Sequence, residues 1–332
     1  MKIYRDKDSD IALIRDKSIV VVGYGNQGSA FAQNLRDSGL NVSVSLKENS
    51  PTIIRATEDG FPVASNDDAH LADMVLMMIP DHLQGEFYDT HLKGKLRRGQ
   101  TLVFAHGYSI HFGLIKPPKG VRCLLVAPHG PGADVRSRFV DGTGLSCFIA
   151  SHPVNSGISL KYALAIAQAC GFTRAGAFKT TFEHEAVGDL FGEQALLCGG
   201  LTHLLMAVFD TLVRNGIPRE NAYLETAHQL ELLASLIREG GVTGMFRKIS
   251  QTAQFGTVVS EKSITNRKLQ SELQKLYDDV ASGRFARKWM REYRSDYPGI
   301  AEFEKRIKSS AFEKTSAKMR GMLNKHEQSA GE

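Results

Sequence analysis

The chain has little cysteine: Cys123, Cys147, Cys170 and Cys198 are widely spaced, with no C-x-x-C. That removes the short redox and metal motifs and leaves four small buried hydrophobes in a reducing compartment as the expectation. No apolar run reads as long enough to span a membrane, and the opening MKIYRDKDSD has no signal-peptide core. A cytoplasmic protein without a membrane partner is therefore expected. Charge of one sign is scarce as well. Lys and Arg number 41 against 36 Asp and Glu, for a net +5. Much of the excess lies in RFARKWMREYR and between Lys305 and Lys325, without interleaved aromatic platforms. It reads as solvated surface, and no nucleic-acid partner is expected. There is no tandem repeat and no low-complexity linker. What remains is a globular composition, 42% hydrophobic and 23% charged, long enough for two domains.

The N-terminal part carries a dinucleotide signature. Ser18 to Val22 is a short apolar, β-branched run, followed by Gly23-Tyr-Gly25-Asn-Gln-Gly28. A helix-like segment comes next, with Phe31 and Leu35 at i, i+4. Gly23 permits the tight turn, Gly25 lets a pyrophosphate approach, and Gly28 lets helix and strand pack closely. The pyrophosphate would rest on the helix N-terminus. The expected cofactor set is Gly23, Tyr24, Gly25, Asn26, Gln27 and Gly28, with Gly132 further along. A second strand, Asn41 to Leu46, ends at Lys47, Glu48, Asn49, Ser50, Pro51 and Thr52. NAD enzymes place an acid there to hold the ribose hydroxyl. Lys47, Ser50 and Thr52 suit a 2′-phosphate instead, so NADPH is expected. Glu48 keeps an ordinary solvated loop open as the alternative.

Strands and helices then alternate. Ala72 to Pro80, Thr101 to Ala105, Cys123 to Ala127 and Gly144 to Ala150 read as strands, and His82 to Leu96 as helix. This is the rhythm of a parallel, doubly wound α/β sheet, the Rossmann-like class. Pro80-Asp81, Ala105-His106-Gly107 and Pro128-His129-Gly130-Pro131-Gly132 fall at strand carboxyl ends, where such sheets collect ligands. The rhythm stops near Lys179, and from Phe182 onward the pattern is helical. The expected division is 1–180 for the dinucleotide domain, 181–326 for a helical domain, and 327–332 for a flexible tail.

Two stretches of the helical part place acids one turn apart. Asp189 and Glu193 lie in GDLFGEQALLCGG, and Glu225 lies four residues before Gln229 in AYLETAHQLELL. Residues at i and i+4 share a helix face. Oxygen ligands at this spacing suit Mg²⁺, which keeps waters and shares its shell with substrate. The alternative for Asp189 and Glu193 is a surface pair, against which Phe191 and the apolar run after it argue for burial. Glu183 and Glu185 are expected on a solvated first turn. His106 alone could equally cap a strand end, and His111, His184, His203 and His228 read as surface or packing residues.

Taken together, the stretches VVVGYGNQGSAFAQNLRDSG, FAHGYSIHFG, VAPHGPG, TTFEHEAVGDLFGEQALLCGG, LIREGGVTGMFRKISQTAQFG and SGRFARKWMREY resemble the short class of ketol-acid reductoisomerases. The resemblance runs from about Asp16 to about Leu323. It implies a Rossmann domain followed by an all-α, knotted domain, and a homodimer or higher homo-oligomer whose active site is shared between subunits. It implies that Asp189 and Glu193 hold one Mg²⁺, with Asp189 bridging to a second held by Glu225 and the Gln229 position of the partner. It also implies that Ser250 binds the substrate carboxylate and that His106 lines the site beside the nicotinamide. The implied reaction is an alkyl shift in a 2-hydroxy-3-keto acid such as 2-acetolactate, followed by NADPH reduction to a 2,3-dihydroxy acid. The catalytic set is then His106, Glu193 and His129.

The chain departs from that pattern at three places. Gln229 stands where the family has Glu, His129 where it has Lys, and Gln254 where it has Glu. Gln offers an oxygen but no charge and no base, and His titrates where Lys does not. Three readings stay open: the ordinary biosynthetic enzyme, a paralogue acting on a modified substrate or keeping mainly the reductase step, and a non-catalytic NADPH-binding oligomer. The retained His106, Asp189, Glu193, Glu225 and Ser250 weigh against the last.

Overall fold

The computed structural model describes residues 2–152 and 157–329. It divides into two compact units, residues 1–188 and 189–332. The first is built on nine strands. β1 is Ile3–Tyr4, β2 Ser18–Val22, β3 Asn41–Leu46, β4 Val63–Ser65, β5 Met74–Met77, β6 Thr101–Phe104, β7 Arg122–Pro128, β8 Cys147–His152 and β9 Ala177–Lys179. Their order across the sheet is β1-β9-β8-β7-β6-β5-β2-β3-β4.

β2 to β7 are mutually parallel, as the alternation implies. β8 corrects the expectation of an all-parallel sheet, because it runs antiparallel to β7, Cys123 facing His152 and Pro128 facing Cys147. A hydrophobic run reports that a strand is buried, not which way it points. β9 continues parallel to β8, and β1 closes the edge antiparallel to β9.

Helices cover both faces. α1 is Asn26–Asp37, α2 Ile53–Glu58, α3 Asp81–Phe87, α4 Tyr108–His111, α5 Gly132–Val140, α6 Gly157–Ala169 and α7 Phe172–Ala175. The strand side chains divide accordingly. Ile19, Val21, Val44, Leu76 and Val126 join one buried cluster, and Val20, Val22, Val75, Met77 and Leu125 the other. That double burial is why these strands read as continuous apolar runs. On α1, Phe31 and Leu35 are fully buried. Phe31 meets Phe172 of α7 edge to face, with ring centroids 5.5 Å apart.

The second unit is helical. α8, Phe182–Gly192, enters it and runs through a wide π-type turn, Glu193–Leu197, into α9, Gly199–Arg214. α10 is Arg219–Leu224, α11 Leu230–Lys248, α12 Gln251–Ile264, α13 Arg267–Ala281, α14 Arg284–Arg294, α15 Pro298–Ser309 and α16 Ala311–Ser329. Of the tail expected at 327–332, residues 330–332 lie outside the described residues. One buried cluster of the unit joins Phe209, Ala222, Tyr223 and Met319, with Phe312 packed against it.

Phe182–Arg214, 33 residues of helix, contains an 18-residue stretch with a mean hydropathy of 1.7 and is long and apolar enough to cross a membrane by length and composition alone. That overturns the reading that no such run exists. The acids and the Gly199-Gly200 pair interrupt the run in sequence, yet the helix continues through them.

Replacing Phe31 by Ala removes a buried ring and should cost about 3–5 kcal/mol. The only tryptophan, Trp289, lies in the other unit, so the check is amide hydrogen exchange in β2 and β3. Unchanged exchange there would show that Phe31 does not hold α1 to the sheet.

Candidate active site

The β2–α1 turn matches the division of labour its glycines imply. Gly23 sits at φ +92°. A Cβ on Gly28 would lie 2.2 Å from the Gly23 carbonyl oxygen, whereas a Cβ on Gly25 would meet nothing within 4 Å. So Gly28 is needed for packing, and Gly25 opens the α1 N-terminus to a ligand. The turn therefore fits a dinucleotide pyrophosphate. Tyr24 is different. Its ring is 1% exposed, packed on Phe61, and its hydroxyl donates to Asp59 at 2.6 Å. Burial, and then this bond, push the phenol up to about 12. Only its backbone is left for a cofactor.

The loop from β7 to α5 leans on the same turn. A Cβ on Gly132 would stand 2.1 Å from the Asn26 carbonyl oxygen. Gln27 Nε2 donates to the Gly130 carbonyl at 3.0 Å, and its buried Oε1 has no hydrogen-bond partner among the described residues. Beyond β3, Lys47 is exposed, and the hydroxyls of Ser50 and Thr52 lie 2.9 Å apart. A groove of about 400 Å³ lies at the head of α1, lined by Asn26, Ser29, Gln33, Arg55, Asp59 and Arg136 among others.

His106 stands just past β6. Its Nδ1 lies 2.9 Å from Asp81 Oδ2 at the start of α3, and both side chains are largely buried. Gln84 supports this pair, donating to Asp81 and to the Met77 and Ile79 carbonyls while accepting from Ser109 at 2.7 Å. The next residue is held from α8: the Gly107 N–H donates to Glu185 Oε2 at 2.6 Å. A Cβ on Gly107 would strike the Phe182 carbonyl at 2.4 Å. Glu185 is thus buried, at 6% exposure, and not on the solvated turn expected for it. Glu183 is solvated as expected. His129, at the end of β7, is exposed, with Nδ1 2.9 Å from Ser146 Oγ and its ring edge-on to Phe148 at 4.4 Å.

On α8, Glu185, Asp189 and Glu193 follow at i, i+4 and i+8, ending at the π-type turn. Such turns concentrate at functional sites. Asp189 and Glu193 are exposed in the single chain, contrary to the burial argued from Phe191 and the run after it. Leu196 and Leu197, in that run, are 66% and 64% exposed. Cys198 is exposed too, unlike the buried Cys123, Cys147 and Cys170.

The second stretch is not the helix its spacing implied. α10 stops at Leu224, Glu225 caps it, Thr226 leaves helical angles, and a short 3₁₀ turn spans Ala227–Gln229. Glu225 and Gln229 still meet: Gln229 Nε2 donates to Glu225 Oε2 at 3.1 Å. Ser250 caps α12, its Oγ accepting from the Ala253 N–H at 3.2 Å. Gln254 Nε2 donates to the Phe246 and Ile249 carbonyls. Among the described residues, no three His, Cys, Asp or Glu of one chain gather as a metal set. Asp189 and Glu193 alone are a two-carboxylate set of the kind Mg²⁺ shares with water and with groups from elsewhere.

Residues 13–176 match the family model of the acetohydroxy acid isomeroreductase NADPH-binding domain, and residues 182–325 that of the ketol-acid reductoisomerase C-terminal domain. The chain belongs to the ketol-acid reductoisomerase family. It is 41% identical over 321 residues to the NADP⁺ ketol-acid reductoisomerase of Methanothermobacter thermautotrophicus, spanning 96% of this chain and 98% of that one. The namesake of Methanopyrus kandleri is 42% identical over 323 residues, spanning 97% and 98%. An NADH-preferring ketol-acid reductoisomerase from an uncultured archean superposes with a TM-score of 0.91 at 36% identity, covering 97% of this chain and 99% of that one. A semialdehyde dehydrogenase NAD-binding protein of Cupriavidus necator, 17% identical with a TM-score of 0.62, shares the fold alone. This ketol-acid reductoisomerase is thus an oxidoreductase acting on a small molecule.

The sequence placed Asp81 at a candidate strand end without a role, read Glu185 as solvated, and gave no reading of Arg55. Asp81 stands at a strand end already singled out, and Glu185 precedes Asp189 by four residues. Both signals were present but needed the fold to become contacts. Glu185→Ala leaves the Gly107 N–H buried without its acceptor, a loss of about 1–3 kcal/mol. Glu185→Gln keeps an acceptor oxygen and should melt close to wild type. Equal melting temperatures for the two variants would show that the bond does not hold the His106 loop.

Proposed function

We propose that the protein is a Mg²⁺-dependent, NADPH-using ketol-acid reductoisomerase acting on 2-acetolactate or a close 2-hydroxy-3-keto acid. The observation that carries this is α8. Its first turn holds the His106 loop through Glu185, and Asp189 and Glu193 follow one and two turns on.

When bound, the metal polarises the ketone and the nicotinamide supplies a hydride. The chain's own residues do the rest. Gly25 and the first N–H groups of α1 receive the pyrophosphate. Lys47, Ser50 and Thr52 hold a 2′-phosphate. Asp189 and Glu193 hold a metal, with Glu225 of a second copy as a further ligand. Asp81 fixes His106 so that Nε2 is the nitrogen offered to the site. Ser250 offers its hydroxyl to the substrate carboxylate, and His129 replaces a permanent cation with a titratable one.

A second copy also suits the helical unit's surface. Leu196, Leu197, Val242, Phe255 and Val258 are 60% or more exposed in one chain. Faces of this kind mark protein interfaces. Asp189, Glu193 and Asp210 on the long apolar helix favour a subunit partner over lipid. We propose a homodimer in the cytoplasm, because acids on that helix oppose contact with lipid.

Gln229 favours weaker handling of the alkyl shift. Its amide donates to Glu225 where a carboxylate would add a second negative ligand, and Mg²⁺ gives up its waters reluctantly. Turnover of 2-acetolactate should therefore lag that of 3-hydroxy-3-methyl-2-oxobutyrate, which needs reduction only. Gln229→Glu should raise the first more than the second, by roughly tenfold in the ratio. NADPH oxidation with each substrate decides it, and a wild type equally active on both would remove the argument. Asp189→Asn should abolish Mg²⁺-dependent turnover while NADPH binding persists. Survival of turnover at ordinary Mg²⁺ would take Asp189 out of the ligand set.

A further inference from the structure

Three arginines surround α1, and two have their charge committed. Arg36 and Arg136 both pair with Asp37, at 3.1 and 2.6 Å. Arg136 also donates to Asn34, and Arg36 to the Asp59 carbonyl. Arg55 pairs with no carboxylate among the described residues. Asp59, one turn further along, spends Oδ2 on the Tyr24 hydroxyl at 2.6 Å and on Gln33 Nε2 at 3.2 Å.

Yet Arg55 is not loose. Its Nη2 donates to the Tyr24 carbonyl at 3.2 Å, and its guanidinium carbon sits 5.1 Å from the centre of the Tyr24 ring. Tyr24 is the middle residue of Gly23-Tyr-Gly25, so the cation is pinned beside the dinucleotide turn. Along the chain it lies three residues after Thr52, which caps α2, and so on the same side of that helix. It also lines the groove that runs past Asn26 and Ser29 at the head of α1. A guanidinium has five donors in a fixed fork, matched to phosphate oxygens. Here one donor is used to hold the fork in place, and among the described residues no carboxylate is paired with the others.

We propose that Arg55 binds the 2′-phosphate of the adenosine ribose and is a specificity-determining residue for the phosphorylated cofactor. This rests on the NADPH reading and extends it. Lys47, Ser50 and Thr52 approach the phosphate from the loop after β3, and Arg55 from the first turn of α2. Because the Tyr24 contact already fixes the side chain, binding orders little that was free. The opposing possibilities are that Arg55 stacks on adenine, or that it only supports the turn. Either would affect NADPH and NADH alike.

The test is direct binding to the full-length protein, with no turnover required. Nicotinamide fluorescence gives the dissociation constants of NADPH and NADH, and calorimetry those of adenosine 2′,5′-bisphosphate and 5′-AMP. Arg55→Gln should weaken NADPH and the bisphosphate roughly 10- to 100-fold, the range for losing charge-assisted hydrogen bonds. NADH and 5′-AMP should move by less than about threefold. Arg55→Lys keeps the charge but loses the fork, so it should fall between. Equal weakening of all four ligands, or none, overturns the proposal. If Arg55→Gln fails to fold, Arg55→Lys carries the same comparison, and an unchanged NADPH-to-NADH ratio there overturns it. A wild type that binds NADH as tightly as NADPH defeats the cofactor reading itself, whereas an altered wild-type preference is absent when only the role of Arg55 fails.

Discussion

The site depends on backbone meeting backbone at the carboxyl edge of the sheet, where three positions leave no room for a side chain. Gly28 lies against the Gly23 carbonyl, Gly132 against the Asn26 carbonyl, and Gly107 against the Phe182 carbonyl. The first closes α1 onto β2. The second seats the β7–α5 loop, with His129 and Gly130, against the head of α1. The third lets α8 approach the His106 loop closely enough for Glu185 to take the Gly107 N–H. A methyl group at any of the three would push apart elements whose only value to the site is their separation. Interiors this dense do not absorb such a displacement.

α8 carries both the residue that holds the His106 loop and the first of the acids. Its early residues Phe182, Ala186 and Val187 are buried, and the acids Asp189 and Glu193 follow one and two turns after Glu185. The π-type turn at Glu193–Leu197 adds a residue to the helical repeat. Phe182 and Ala186 are buried, whereas Leu196 and Leu197 within the turn and Leu201 after it are exposed. Glu193 opens the turn, and Asp189 lies four residues before it.

Much of the first unit was legible because each strand is buried on two faces. β2 and β3 appear with the bounds their apolar runs imply, Ser18–Val22 and Asn41–Leu46. β1, β4 and β9, two or three residues each, were not, since so short a run carries no periodicity. The roles within Gly23–Gly28 were legible because a missing Cβ has few uses. Glu185 was not, because a carboxylate early in a helix ordinarily means a favourable dipole contact in water. Only the fold brings a buried N–H to it. The Glu225–Gln229 helix was misread for a related reason: i, i+4 spacing is a statement about helices, and here α10 ends at Leu224, before either residue. The pair is joined across a turn instead, by an amide proton.

That amide proton changes what the pair can do. Two carboxylates at this distance repel and are relieved by a cation between them. Gln229 donates to Glu225 at 3.1 Å instead, so the pair satisfies itself without a cation. On the ligand set proposed above, a metal at Glu225 would have to break that bond, while Asp189 and Glu193 would be unaffected. A site built that way would keep the chemistry that one ion supports and weaken the chemistry that needs two. His129 works in the same direction. Its ring is held by Ser146 and Phe148, so the position carries a positive charge only while the imidazole is protonated, and with it any help in holding an anionic substrate. On the proposed reading, both departures act through charge and ask nothing of the backbone frame that Gly28, Gly107 and Gly132 close.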